Sequence, residues 1–286
     1  MSKKNKGICC IIASAFCFAL MNIFVRMSGD LPSVEKSFFR NFVAMIFAVV
    51  ILVKEKIPFE IGKENYAAMF CRAFFGTIGI LCNFYAVDHL LVADASMLNK
   101  LSPFFAIVFS IFILKEIPKK YQVGCLLMAL AGCLFVVKPG FASTDTLGMA
   151  AGVCGGMAAG LAYTMVRLLG SRGVKGPVIV FCFSCFSCLM TLPLIILFYH
   201  SPMSGMQVLT LLGAGLAAAG GQFSITAAYT YAPAKEISIY DYTQIIFSTI
   251  MGFLFFGQIP DVYSFIGYAV ICGASLIMFI KNQKQK

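Results

Sequence analysis

Four ionisable residues stand inside or close to apolar runs of this chain: Arg40, Arg72, Lys100 and Asp241. A charge at membrane depth costs about 2.5–3.5 kcal/mol on insertion scales, so it persists where it pairs, snorkels or meets a solute. The chemistry open to this set is recognition of a charged solute, proton exchange at the acid, or a structural ion pair. Hydrolysis or group transfer would need acids clustered with histidine. His89 and His200 are the only histidines, and only Asp88 adjoins one of them.

Lys100 follows Asn99 and precedes Ser102 and Pro103. It lies about 8–9 Å in from the outer end of its run, at 1.5 Å per residue. Pro103 lacks a backbone donor and frees the carbonyl one turn back, that of Asn99. Free backbone at membrane depth is tolerated only against protein or a water-filled cavity, so Lys100 is expected to face a wet cavity, with outward snorkelling as the other reading. Asp241 lies in an unusually polar turn, Tyr240-Asp241-Tyr242-Thr243-Gln244. It can pair with Lys100, bind a solute amine or carry a proton; an interfacial or purely structural acid stays equally open. Glu236 reads as a solvated acid at a helix start.

For Arg40, cavity lining and snorkelling stand level. For Arg72, near the start of its run, snorkelling is favoured. Softer candidates are Asn22, Asn83 and Gln222, with the hydroxyls of Tyr85, Tyr163 and Tyr229. Singly, each amide reads as glue between helices. Together they supply the few polar groups that a small-metabolite pocket needs amid apolar walls. Gly156 and Gly160 belong to a glycine-rich run that reads as close helix packing, and low-relief packing also suits rocking of one bundle on another. Cys182, Cys185 and Cys188 read as a small-residue helix face, because a metal site would need a fourth ligand and polar support.

These residues need a membrane scaffold. The 286 residues are 60% hydrophobic and 12% charged, with mean hydropathy +0.90. Soluble proteins carry about 25% charged residues, so lipid must solvate most of this surface. Ten apolar runs read as spanning helices: 7–27, 37–53, 67–87, 95–114, 121–137, 147–169, 177–199, 208–229, 237–256 and 262–280. Turn chemistry separates them, as in Lys138-Pro139-Gly140 and Ile259-Pro260. The basic start, 1–6, leads straight into a run of spanning length and reads as part of the first span rather than a cleaved leader. Lysine and arginine then concentrate on one side, with only Arg26, Lys36 and Lys138 on the other. That bias places both termini in the cytoplasm. The net charge of +10 therefore sets orientation and does not indicate nucleic acid.

The second half repeats the first. Gly7, Leu20, Val25, Arg26 and Gly29 recur as Gly148, Leu161, Val166, Arg167 and Gly170. Ser96, Phe105, Ile117, Pro118, Tyr121 and Leu134 recur as Ser238, Phe247, Ile259, Pro260, Tyr263 and Leu276. The register matches Asn22 with Tyr163, Asn99 with Asp241 and Lys100 with Tyr242. Five spans per half is odd, so the second half enters from the opposite face, with Asp145 in the link. Inverted repeats of this kind bind solute near the bilayer midplane between the halves. The expected fold is an all-α membrane protein with ten transmembrane helices in two inverted five-helix repeats, 7–138 and 147–281.

Phe38-Phe39-Arg40-Asn41 opening the second run, Leu101-Ser102-Pro103 in the fourth and Lys115-Glu116 closing it resemble the drug/metabolite transporter superfamily, EamA type. The resemblance covers nearly the whole chain. It implies a ten-helix carrier, in a family that includes exporters of amino acids and other metabolites and relatives that carry vitamins, nucleosides and sugar nucleotides. Each repeat of that family often ends its fourth helix in Gly-Glu. Here the positions read Lys115-Glu116 and Gly257-Gln258, so the second copy lacks the acid and no coupling role is assigned there.

The expectation is a secondary transporter of the cytoplasmic membrane, not an enzyme, moving a small organic metabolite by alternating access, as exporter or exchanger. An amino acid or related compound fits a cavity offering both Lys100 and Asp241. The expected solute-binding set is Asn22, Arg40, Arg72, Asn83, Tyr85, Asn99, Lys100, Tyr163, Gln222, Tyr229, Asp241 and Gln244, with Pro103, Gly156 and Gly160 at the helix break and packing seam. The expected partners are the solute, membrane lipid and a coupling proton. No cofactor is expected, and no phosphate-loop motif is present. A lipid-handling or structural membrane protein is the alternative.

Overall fold

In lipid a single apolar run can satisfy its backbone only by helix formation, and the chain obeys that limit. The computed structural model describes residues 3–89, 92–137, 146–198, 202–257 and 262–283. Lys138, Asp145, His200, Gln258, Ile259 and Pro260 lie outside the described residues.

The helices of the first half are α1 (Lys3–Met27), α2 (Ser33–Lys54), α3 (Tyr66–His89), α4 (Val92–Asn99), α5 (Ser102–Ile113) and α6 (Lys120–Val137). Those of the second are α7 (Thr146–Ser171), α8 (Gly176–Phe198), α9 (Gly205–Tyr231), α10 (Ala234–Ile237), α11 (Thr243–Phe256) and α12 (Val262–Gln283). No strand occurs among the described residues. Seven described segments are long and apolar enough to cross a membrane, and Ser102–Ile113 is a shorter apolar helix.

Local chemistry sets the ends. Ser204 caps α9 in a reciprocal box with Gln207. Gly29 follows α1 at φ 71° and Gly257 follows α11 at φ 65°, both left-handed. Lys115 takes the same conformation, φ 55°, at the position matched with Gly257. A left-handed lysine costs about 1–2 kcal/mol. The glycine that turns the chain after α7 is Gly173, φ 86°, rather than Gly170. Gly170 instead packs against Thr230.

Two expected helices are broken. The run 95–114 divides into α4 and α5 at Lys100 and Leu101. Pro103 has no amide hydrogen to continue α4, but it fits the first turn of α5, where that hydrogen has no intrahelical partner. The run 237–256 begins in α10, tightens into a 3-10 turn over Ser238–Tyr242, and resumes as α11.

The packing has a pairwise pattern. α1 runs along α9 as α7 runs along α3, and α5 lies on α7 as α11 lies on α1. α2 packs against α8 and α6 against α12. The start of α1 and the end of α12 share one end of the bundle. There Lys4 pairs with Glu236 at 3.8 Å, Lys235 donates to the Ile117 carbonyl at 3.1 Å, and Lys281 lies over the Tyr121 ring.

Polarity is inside out. Val53, Phe112, Phe198, Leu254 and Val262 are each at least 70% exposed. Arg40, Arg72, Lys100 and Asp241 are all buried. A lipid solvent explains both halves of that pattern.

Candidate functional site

The two helix breaks face each other. Lys100, in the turn between α4 and α5, donates to Asp241 Oδ2 at 2.9 Å from the opposite half. Both side chains are 2% exposed. The other carboxylate oxygen, Oδ1, is buried without a hydrogen-bond partner. The breaks matter chemically because they carry polar side chains to a depth where a continuous apolar helix would present none.

Beside this pair lies a small cavity of about 70 Å³. Asn99, Lys100, Asp241 and Gln244 form its wall at the two breaks. Asn22 from α1, Asn83 from α3, Tyr163 from α7 and Gln222 from α9 extend it. Asn22 Oδ1 has no hydrogen-bond partner.

Arg40 and Arg72 both line this cavity. Arg72 is 1% exposed, so it does not snorkel as the sequence reading favoured. Its position near a helix start gives its depth; its face on α3 turns it inward instead. The guanidinium lies over the Phe183 ring, 4.0 Å from the centroid, within cation–π range. Gly76, one turn on, leaves room for it: a Cβ there would collide with the guanidinium and with Phe183. Arg40 donates to Asn41 Oδ1 at 2.8 Å and to Gln222 Oε1 at 3.3 Å. Its Cζ lies 5.8 Å from the same Phe183 ring and 5.9 Å from Phe18.

Two predicted residues stand elsewhere. Tyr85 turns from the cavity and stacks on His89 at 3.9 Å, in a separate cleft with Asp88 and Pro32. Spacing on α3 placed it at the right depth, and the helix rotation put it on another face. Tyr229 is fully buried behind the wall, stacked on Tyr163 at 5.0 Å, with its hydroxyl 3.4 Å from Ser238 Oγ. It positions Tyr163 and the second break without lining the space.

Pro103 is buried at the start of α5 and lies off the cavity lining. Gly156 and Gly160 seat α7 against the first break. A Cβ on Gly156 would stand 2.6 Å from the Leu98 carbonyl oxygen, and one on Gly160 would stand 2.6 Å from Phe105 Cβ. These glycines let two helix backbones touch.

The sequence reading missed Phe18, Phe183 and Ser96 in the lining. A phenylalanine in an apolar run carries no signal. Asn41 was visible only as the neighbour of Arg40; in the fold it donates to Ser187 Oγ at 2.8 Å and orients the guanidinium. Ser187 belongs to a buried face of α8 with Ser184, Cys188 and Thr191; of the three cysteines expected to share one small-residue face, only Cys188 lies on it, and Cys182 and Cys185 are half-buried. Lys36 also gained a partner unseen in sequence: it is buried and pairs with Asp88 at 2.7 Å.

The model of the EamA-like transporter family matches twice, over residues 5–138 and 146–280. The chain belongs to that family. It is 28% identical to the pseudopaline exporter CntI of Pseudomonas aeruginosa, strain UCBPP-PA14, over 96% of both chains. It is also 28% identical to solute carrier family 35 member G1 of Mus musculus, over 89% of this chain and 73% of that one. A solved crystal structure shares the fold with a TM-score of 0.82, at 16% identity over 99% of each chain. The family match accounts for a membrane protein built from a duplicated domain, and its named relatives are transporters.

Proposed function

We propose that this protein is a secondary transporter that moves a small organic metabolite across the cytoplasmic membrane by alternating access, as exporter or exchanger. The observation that carries the reading is the buried Lys100–Asp241 pair, which joins breaks in opposite halves at the wall of an internal cavity. A pair held only for stability would be a poor investment, because apolar replacements of similar volume often serve as well. A pair that solute can compete for has a use. Asp241 can release Lys100 and receive a solute amine, or exchange a coupling proton. The relatives named as an exporter and a solute carrier support transport; the two charge signs at the cavity, Lys100 and Asp241, favour amino acids and related compounds.

Ten spans in two inverted repeats is the topology that fits the packing. α4 with α5, and α10 with α11, each read as one broken span. The largest helix contacts then pair off between the halves: α1 on α9 with α7 on α3, α1 on α11 with α7 on α5, and α2 on α9 with α8 on α3. The start of α1 and the end of α12 at one end of the bundle agree with an even number of crossings, and the lysine and arginine bias assigns that end to the cytoplasm. A carboxyl-terminal alkaline phosphatase fusion should accordingly stay inactive.

Counterflow in proteoliposomes tests the function. Lys100→Ala and Asp241→Asn should each sharply lower solute exchange per unit of folded protein reconstituted. Wild-type exchange in both variants would remove the pair from the mechanism.

A further inference from the structure

The cavity carries more positive charge than its own acid can answer. Arg40, Arg72 and Lys100 line it beside one carboxylate, Asp241. Lys100 takes that carboxylate. Arg40 is left with two amide oxygens and two aromatic rings, and Arg72 with the face of Phe183. No carboxylate lies within ion-pair distance of either guanidinium among the described residues. The Nε atoms of both are buried without a hydrogen-bond partner.

Two buried cations without counter-ions are costly unless the counter-ion arrives with the solute. Aromatic faces offset part of the cost and hold the guanidinium planes fixed. Arginine's planar fork matches a carboxylate through two parallel hydrogen bonds. Arg40 and Arg72 lie 5.8 Å and 4.0 Å from the centroid of the same Phe183 ring, so the two cations are close neighbours in the lining.

We propose that Arg40 and Arg72 form a paired anion cradle, and that the solute is a small acidic metabolite with two carboxylates, one for each guanidinium. The inference rests on the transport reading above and narrows it, from a neutral zwitterion to an acid of net negative charge. A neutral zwitterion brings one carboxylate and leaves one guanidinium unanswered. The unpartnered oxygens of Asn22 and Asp241 accept hydrogen bonds from an amine or hydroxyl on the same solute. An amino dicarboxylate uses every one of these groups.

Thermal shift on the purified full chain, with succinate, glutamate, glucose 6-phosphate and leucine, tests the cradle. Succinate or glutamate should raise Tm, and added salt should weaken the effect. Arg40→Gln and Arg72→Gln should each weaken the apparent affinity on the order of 30-fold or more. Arg172→Gln, at an exposed cation just past the end of α7 that donates to the Glu64 carbonyl and Asn65 Oδ1 and is absent from the cavity lining, should leave it unchanged. If a glutamine variant elutes as aggregate, Arg40→Lys and Arg72→Lys keep the charge, lose the fork and should still weaken binding.

Stabilisation by leucine without either dicarboxylate overturns the cradle, and leucine counterflow in proteoliposomes would then leave the transport reading standing. Stabilisation by glucose 6-phosphate alone overturns the carboxylate assignment. No shift with any of the acids overturns the proposal. Absence of counterflow for every solute that binds would count against transport itself.

Discussion

Asn99 and Asp241 hold matched positions at the two helix breaks, and Lys100 is matched with Tyr242. Identical halves would set like against like across the cavity. Here the copies have diverged: the first break supplies a cation, the second an anion, and they meet at 2.9 Å. The ends differ in the same way. Arg167, at the end of α7, donates to Glu116 at 3.2 Å and to the Thr230 carbonyl at 3.3 Å. Its counterpart Arg26 is exposed, 5.6 Å from the Phe256 ring centroid, and the position matched with Glu116 is Gln258. The packing seams diverge too. α7 carries Gly152, Gly155, Gly156 and Gly160 where α1 carries Ile11, Ser14, Ala15 and Ala19. Duplication therefore supplied the scaffold, and divergence supplied the ion pair, different contacts at the two ends, and different residues along the two seams.

The largest effect should come from unpairing the centre. Lys100→Ala alone leaves Asp241 buried and unanswered, which should destabilise the protein by about 3–5 kcal/mol. The double variant Lys100→Met with Asp241→Leu should recover most of that stability and none of the transport. Equal stability in the single and double variants, read by thermal denaturation, would show that the pair is not coupled.

An intermediate effect should follow from making the seams alike. Gly160→Ala gives α7 the residue that α1 has at Ala19, yet its Cβ would sit 2.9 Å from both Ala106 N and Ser102 O. Overpacking of this kind costs about 1–3 kcal/mol. Exchange in proteoliposomes should slow while expression persists. Unchanged stability and rate would mean that the two seams are equivalent after all.

The smallest effect should come from equalising the ends. Glu116 and Arg167 are both about one-fifth exposed, so their pair is worth roughly 0.2–1 kcal/mol. Glu116→Gln should barely move Tm. It should raise the solvent accessibility of that end in hydrogen exchange around 114–120, because a weak contact still biases a balanced two-state equilibrium. No change in exchange would deny the contact any part in closing that end.

How much of this was legible in advance varies with the kind of residue. Lys100 and Asp241 stood out because ionisable groups are expensive in lipid, and the repeat register placed them at matched depths. Pro103 announced the first break. The second break has no proline within it and was read as a continuous helix. Arg72 and Tyr85 show what a linear sequence leaves open. Position along a run fixes depth, but the direction a side chain faces depends on how the helix is rotated against its neighbours. Depth alone favours snorkelling for Arg72 and allows Tyr85 a place in the cavity, yet Arg72 lines the cavity and Tyr85 stacks on His89. Phe183 gave no signal, since an apolar residue in an apolar run is uninformative until something charged is found against it.

The sequence by itself determined a membrane-embedded, all-helical chain with a duplicated plan, because composition, run length and spacing are set by the solvent each residue must face. It also marked Arg40, Arg72, Lys100 and Asp241 as the charges that lipid could not leave unanswered. The tertiary structure decided which of them meet. Lys100 finds Asp241 across 141 residues, and Arg40 and Arg72 share one aromatic ring from the other half. Those contacts depend on helix rotation and on how closely glycine lets backbones approach, and both are properties of packed neighbours rather than of any one segment.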